Sequence, residues 1–254
     1  TALHEVLQHY LDVMYDKSGA EADRIDINEL FEETLRECYA KDYKKNKNQH
    51  FSTPEELREF YEDGKAILDN FKKKKSGYFS KKGWYLVGCE IPIVMAPNLR
   101  LNRVKYIGYL DIVMYHEPTN TFKIIDIKTS TKGWNKYTKK DESKQFQLIL
   151  YKYFFSKQYN IPIENIKIEF FIVRRKVYLD GEYPQKRIQT FVPASGRNKV
   201  NKATKNLDDF INRAFNLDGS YKDTTFMAKP SKWNCTFCPY KENKELCSAV
   251  GKSL

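Results

Sequence analysis

Two aspartates and a lysine carry the sharpest chemistry in this chain. Asp111 lies in Gly108-Tyr109-Leu110-Asp111-Ile112-Val113, and Asp126 in Ile124-Ile125-Asp126-Ile127-Lys128-Thr129-Ser130, with the turn residues Glu117-Pro118-Thr119-Asn120 between them. A hairpin turning between Pro118 and Thr119 sets Asp111 opposite Asp126, on one face, with Cβ atoms about 5 Å apart. Lys128, two residues further on, shares that face. Two carboxylates held together among Ile, Leu and Val repel each other and resist desolvation. A divalent cation resolves that conflict, and hard oxygen ligands favour magnesium or manganese. The plainer alternative, solvated carboxylates on an amphipathic hairpin, stays open. An acid two residues before a lysine occurs five times, at Asp42, Asp63, Asp126, Glu142 and Glu242. Of these, only Asp126 sits inside an apolar strand with another aspartate across the ladder. Glu90, on the preceding strand, is a further acid near the site or else a salt-bridge partner.

A second constellation closes the chain. Cys235, Cys238 and Cys247 form a C-x2-C-x8-C array, a spacing that lets thiolates wrap one tetrahedral metal or three corners of an iron–sulfur cluster. The plain alternative is a group of thiols without a ligand. Two tracts are basic: residues 71–82 hold six lysines and no acid, and residues 131–140 hold Lys132, Lys136, Lys139 and Lys140 with Trp134 and Tyr137. Lysines usually form a solvated face, but rings between cations can stack unpaired bases.

These groups need elements to hold them. Leu3, Val6, Leu7, Tyr10, Leu11 and Met14 recur at helical spacing, which puts His4 on an opening helix. A second helix is predicted over residues 26–44. A third starts at Thr53, with Pro54 in the first position and Glu56 completing a capping box. From Trp84 the period changes, and residues 84–95, 104–115 and 122–129 read as strands. Residues 143–159 read as a helix carrying Gln147 and Tyr151 one turn apart, 166–173 and 187–192 as strands, and 200–214 as a last long helix. Helices, three strands, a helix and more strands make an α/β chain with a mixed sheet. The expected division is a helical region over 1–83, a core over 84–217 and a cysteine module over 218–254.

Composition narrows the classes. Forty-four Lys+Arg against 33 Asp+Glu give a net charge of +11, which points to a polyanion, with nucleic acid ahead of an anionic membrane. Apolar content of 41% with 15% aromatic residues argues against disorder. The strongest apolar stretches, 91–96 and 146–150, are far too short to span a bilayer. Five cysteines, unevenly placed, do not make a secreted disulfide framework. An intracellular setting (cytoplasm, nucleoid or organelle matrix) is therefore expected, although a chain opening on Thr1 leaves its N-terminal address unreadable.

Taken in order, the His4 helix, Gly-Tyr-Leu-Asp111, Ile-Asp126-Ile-Lys128-Thr-Ser and Gln147-Leu-Ile-Leu-Tyr151 resemble the PD-(D/E)XK nuclease superfamily. The RecB-type branch, which includes the CRISPR adaptation nucleases and the mitochondrial genome-maintenance exonuclease, is the most similar. The resemblance implies a restriction-endonuclease-like core. It implies Mg2+ or Mn2+ held by Asp111, Asp126, the backbone carbonyl of Ile127 and His4. Lys128 would activate water and stabilise charge, with Gln147 and Tyr151 holding the site or the strand beside it. Many relatives close with a cysteine trio on a [4Fe–4S] cluster. Here Cys235, Cys238 and Cys247 would serve, with Cys38 as fourth ligand, Cys89 in the core, and zinc as the alternative. The implied activity is exonucleolytic hydrolysis of single-stranded or unwound DNA in recombination, repair or replication, beside a helicase or recombination partner. A structure-specific endonuclease and a non-catalytic nucleic-acid-binding module are the rivals.

Overall fold

Alternating apolar residues and β-branched side chains build one five-stranded sheet in the computed structural model, which describes residues 2–97, 103–178, 185–223, 230–236, 238–243 and 245–247. Its strands are β1 (Trp84–Met95), β2 (Tyr106–His116), β3 (Thr121–Ser130), β4 (Ile166–Arg174) and β5 (Ile188–Phe191), adjacent in that order. β1, β2 and β3 form an antiparallel meander, β3 and β4 pair in parallel, and β4 and β5 are antiparallel. A parallel pair needs a long crossover, and a helix over Glu142–Gln158 supplies it.

The helices are α1 (Ala2–Asp16), α2 (Gly19–Arg24), α3 (Ile27–Lys45), α4 (Pro54–Lys74), α5 (Lys136–Lys140), α6 (Glu142–Gln158), α7 (Arg197–Ala214) and α8 (Lys232–Thr236). The capping box at Thr53 forms as expected, with Glu56 bonded back to the Thr53 amide. α2 and α5 have no apolar stripe of their own and owe their starts to local caps. Ser18 accepts from the Glu21 amide, and Asn135 accepts from the amides of Tyr137 and Thr138.

Two cores sandwich the sheet. One joins α1, α3 and α4 to Ile112, Met114, Ile125, Ile127, Phe171 and Val173, so the helical region before Trp84 shares a core with the strands. The other joins α6 and α7 to Leu110, Val113, Ile124, Ile168, Phe170 and Ile172. β1 and β2 change sides partway along. The Cys89–Ile112 pair faces the first core and the Ile91–Leu110 pair the second. Strict alternation would keep residues 89 and 91 on one face. Glu90 breaks it by adopting a left-handed φ of 51°. At the exposed side of β1, Gln158 of α6 accepts from the Val94 amide and donates to the Pro92 carbonyl, both at 2.9 Å. It covers backbone groups that an edge strand would otherwise present to another chain.

Candidate active site

The hairpin takes the expected register, with Ile112 opposite Ile125 and Val113 opposite Ile124. Asp111 and Asp126 are the next step beyond the last pair, where β2 and β3 part. β3 there continues its parallel pairing with β4, while β2 stays with β1. The Asp111 carboxylate enters the fork, and its Oδ2 accepts from the Ile127 amide at 2.6 Å. Burial, joined by the charge of Asp126, raises the Asp111 pKa from 3.8 to about 7, against the pull of the Ile127 amide and Lys128. Asp126 is 3% exposed. Burial raises its pKa too, and Lys128 opposes the shift.

Lys128 Nζ lies 2.8 Å from Asp126 Oδ2. The contact is an ion pair at a poor angle, because that buried oxygen has no hydrogen-bond partner. The ammonium instead donates to Gln147 Oε1 at 3.0 Å, and Gln147 Nε2 donates to the Tyr151 hydroxyl at 3.0 Å. The predicted strand residue and the predicted helix pair thus form one chain of contacts. Tyr151 fits because residue 108 is glycine: a Cβ there would stand 2.6 Å from its ring.

α1 completes the site. His4 Nδ1 lies 3.9 Å from Asp111 Oδ2. Burial, with Lys128 contributing, lowers the His4 pKa to about 4. The imidazole is therefore neutral at pH 7 and keeps a lone pair on one ring nitrogen, and the contact is not a salt bridge. One turn along, buried Gln8 donates to Glu90 Oε1 at 2.7 Å and to the Asp111 carbonyl at 2.9 Å. Gln8 was not foreseen. Its i+4 spacing from His4 was the one sequence signal, and its meaning depends on the backbone turn at Glu90.

The donor set suits a hard divalent cation: two carboxylates, one with a buried oxygen that accepts no hydrogen bond and meets only the Lys128 ammonium, beside a neutral imidazole. Among the described residues no three His, Cys, Asp or Glu side chains converge as a ready cage. Magnesium asks for less, since one or two carboxylates commonly hold it while it keeps several waters.

Other expected groups fall elsewhere. The Trp134 ring is half-buried. It packs against Phe170 and Phe191, with centroids at 4.8 and 6.3 Å, and Gln189 brackets its backbone. Tyr137, 72% exposed, is the open ring of that tract. Lys132, Lys136 and Lys140 are exposed, and Lys139 Nζ lies over the Phe191 ring. Cys38 donates to Glu5 at 3.5 Å rather than joining the tail thiols. Cys89 packs against the first core, as expected, and burial pushes its thiol pKa up. Cys235, Cys238 and Cys247 are free and half-buried. They do not gather into a metal-binding group among the described residues.

Compared with known proteins, residues 1–243 match the family model of the PD-(D/E)XK nuclease superfamily. No curated protein matches the chain. Among the described residues no helix is long and apolar enough to cross a membrane.

Proposed function

This chain belongs to the PD-(D/E)XK nuclease superfamily, metal-dependent nucleases that generally use Mg2+ or Mn2+, and we propose that it is an exonuclease acting on single-stranded or unwound DNA ends. The observation that carries a hydrolytic role is the buried Oδ2 of Asp126, held by the Lys128 ammonium alone, beside an Asp111 whose burial resists ionisation. Such a pair is costly without a cation, and clustered perturbed carboxylates are characteristic of reaction sites. Asp111, Asp126, the Ile127 carbonyl and His4 would hold the ion. When bound, it supplies Lewis acidity at the phosphate and eases deprotonation of the attacking water.

The chain's own groups do the remainder. Lys128, steered by Asp126 and Gln147, presents its ammonium to the phosphoryl oxygens as charge develops on them. Tyr151 fixes the Gln147 amide, so that its carbonyl end faces Lys128. The exposed lysines that follow β3 lie next in sequence to the site and suit a phosphate backbone approaching it.

The test offers end-labelled linear and closed circular single strands to the pure protein with Mg2+ or Mn2+. Degradation of the linear strand alone is expected, and a chelator should stop it. Efficient cutting of the circle would replace the exonuclease with an endonuclease. Binding without cleavage in either metal would leave a nucleic-acid-binding module.

A further inference from the structure

Beyond the face change at Glu90, β1 and β2 leave one side uncovered among the described residues. Val94 and Ile107 are register partners, and so are Pro92 and Tyr109, which places all four on one face. That face is open: Val94 is 52%, Ile107 60% and Tyr109 54% exposed, and Pro92 is exposed as well. The opposite face of the same segment is filled, with Ile93 and Leu110 buried and Gly108 beneath the Tyr151 ring. Adjoining exposed apolar residues on a sheet face suggest an occupant.

Three observations say which. First, Tyr109 precedes Asp111 by two residues on one strand, about 7 Å along it, so whatever lies on the ring is one step from the candidate cation ligands. Second, exposed Lys105 lies two residues before Ile107, on the same face, so the far end of the patch is cationic, whereas Arg103 sits beside Asp218 and Gly219. Third, Gln158 already occupies the Val94 amide and the Pro92 carbonyl, which disfavours a partner that adds as a strand. An open ring with aliphatic neighbours, a lysine at one end and the phosphate-cleaving groups at the other suit a polyanion that shows flat apolar faces. Unpaired nucleic acid has those properties, whereas a duplex keeps its base faces stacked inside.

We propose that Tyr109, with Pro92, Val94 and Ile107, is the platform on which bases of the single-stranded substrate stack, while Lys105 meets its phosphates. The proposal rests on the single-strand reading above and adds the surface that selects it. Tyr109 is a positioning residue: it acts on the strand next to the reacting phosphate and takes no part in the bond changes.

Binding is measured in chelator, so that cleavage does not intervene, by fluorescence anisotropy of a labelled single-stranded oligonucleotide. Tyr109→Ala is expected to weaken binding by about 5- to 150-fold, the range for loss of a stacked base, and Tyr109→Trp to preserve it. A matched oligonucleotide with abasic sites should bind wild type as weakly as the intact strand binds Tyr109→Ala, and should be indifferent to the substitution. Equal affinity of wild type and Tyr109→Ala for the intact strand would overturn the platform. So would undiminished binding of the abasic strand, or a wild-type dimer in solution that Tyr109→Ala converts to monomer. The two readings separate: if wild type degrades linear single strands and Tyr109→Ala binds them equally well, only the platform is lost, and if wild type degrades none, the nuclease reading itself is lost.

Discussion

Asp111 and Asp126 stand together because a hairpin register brings them there, and each is held by a different device. Asp111 leans on the Ile127 amide, and Asp126 on an ammonium that is shared with Gln147. With its pKa raised from 3.8 to about 7, Asp111 binds a proton more tightly in the folded protein than in the unfolded chain. Stability from that proton is complete below the ordinary carboxylate pKa, and it is lost as pH rises through about 7. Metal-free protein is therefore expected to melt at lower temperature at pH 8 than at pH 5, with this group costing up to about 1.4 kcal/mol per pH unit. Asp111→Asn, uncharged throughout, should flatten that dependence, and Mg2+ should restore the wild type at pH 8. In the same variant, cleavage should fall by at least about a thousandfold, since the cation is worth several kcal/mol. Thermal melts across pH in chelator and in Mg2+ check both, and parallel wild-type and variant curves would contradict the assignment. The residue types were legible because acid, spacing and strand context coincide. Gln8 was not, because glutamine on a helix has no chemical signature until Glu90 turns toward it.

Elements were legible where they repeat. α1, α4, α6 and the strands carry periodic apolar residues and appear within a few residues of their expected limits, whereas α2 and α5 depend on single caps. The face change in β1 and β2 left no mark in the sequence, because it rests on a left-handed glutamate and not on a glycine. The surroundings of Trp134 were hidden for a related reason: a ring among lysines gives no sign that Phe170 and Phe191 come alongside. The contact of α6 with β2 is the element-scale feature with the clearest consequence. Gly108→Ala would place a methyl 2.6 Å from the Tyr151 ring, and overpacking of that kind costs about 1–3 kcal/mol. Displacing Tyr151 should also loosen Gln147 and then Lys128, so turnover is expected to fall along with stability. Adding Tyr151→Ala removes the clash, and the double variant should then lose less stability than the two single losses combined. Denaturant midpoints of the four proteins measure the coupling, and strict additivity would show that the ring is not what glycine accommodates.

At the scale of the whole molecule, a net charge of +11 overstates what is offered to a polyanion. Several cations are committed to the fold. Lys75 pairs with Asp23 at 2.7 Å, and Lys72 donates to the carbonyls of Asp23 and Ile25, so the lysine run at the end of α4 ties α4 to α2 and its exit. Arg175 and Lys176 engage Asp63 and Glu59 of α4, and Lys199 and Lys202 clamp Glu142 at the start of α6. The sequence showed two basic tracts of similar appearance; in the first, Lys72 and Lys75 are tied to the fold, while Lys73, Lys74, Lys81 and Lys82 are exposed. The tract of residues 131–140 follows β3 directly and keeps Lys132, Lys136 and Lys140 exposed. Single-strand binding should therefore weaken with salt at a log–log slope to which each lysine–phosphate contact adds about 0.7. Replacing Lys132, Lys136, Lys139 and Lys140 together by glutamine should reduce that slope by up to about 3. Lys72→Gln with Lys75→Gln should instead lower the melting temperature and leave the slope nearly unchanged. Anisotropy titrations in chelator from low to high salt decide the matter. An unchanged slope in the first variant, or an equal reduction in both, would mean that phosphates do not follow the tract beside the hairpin.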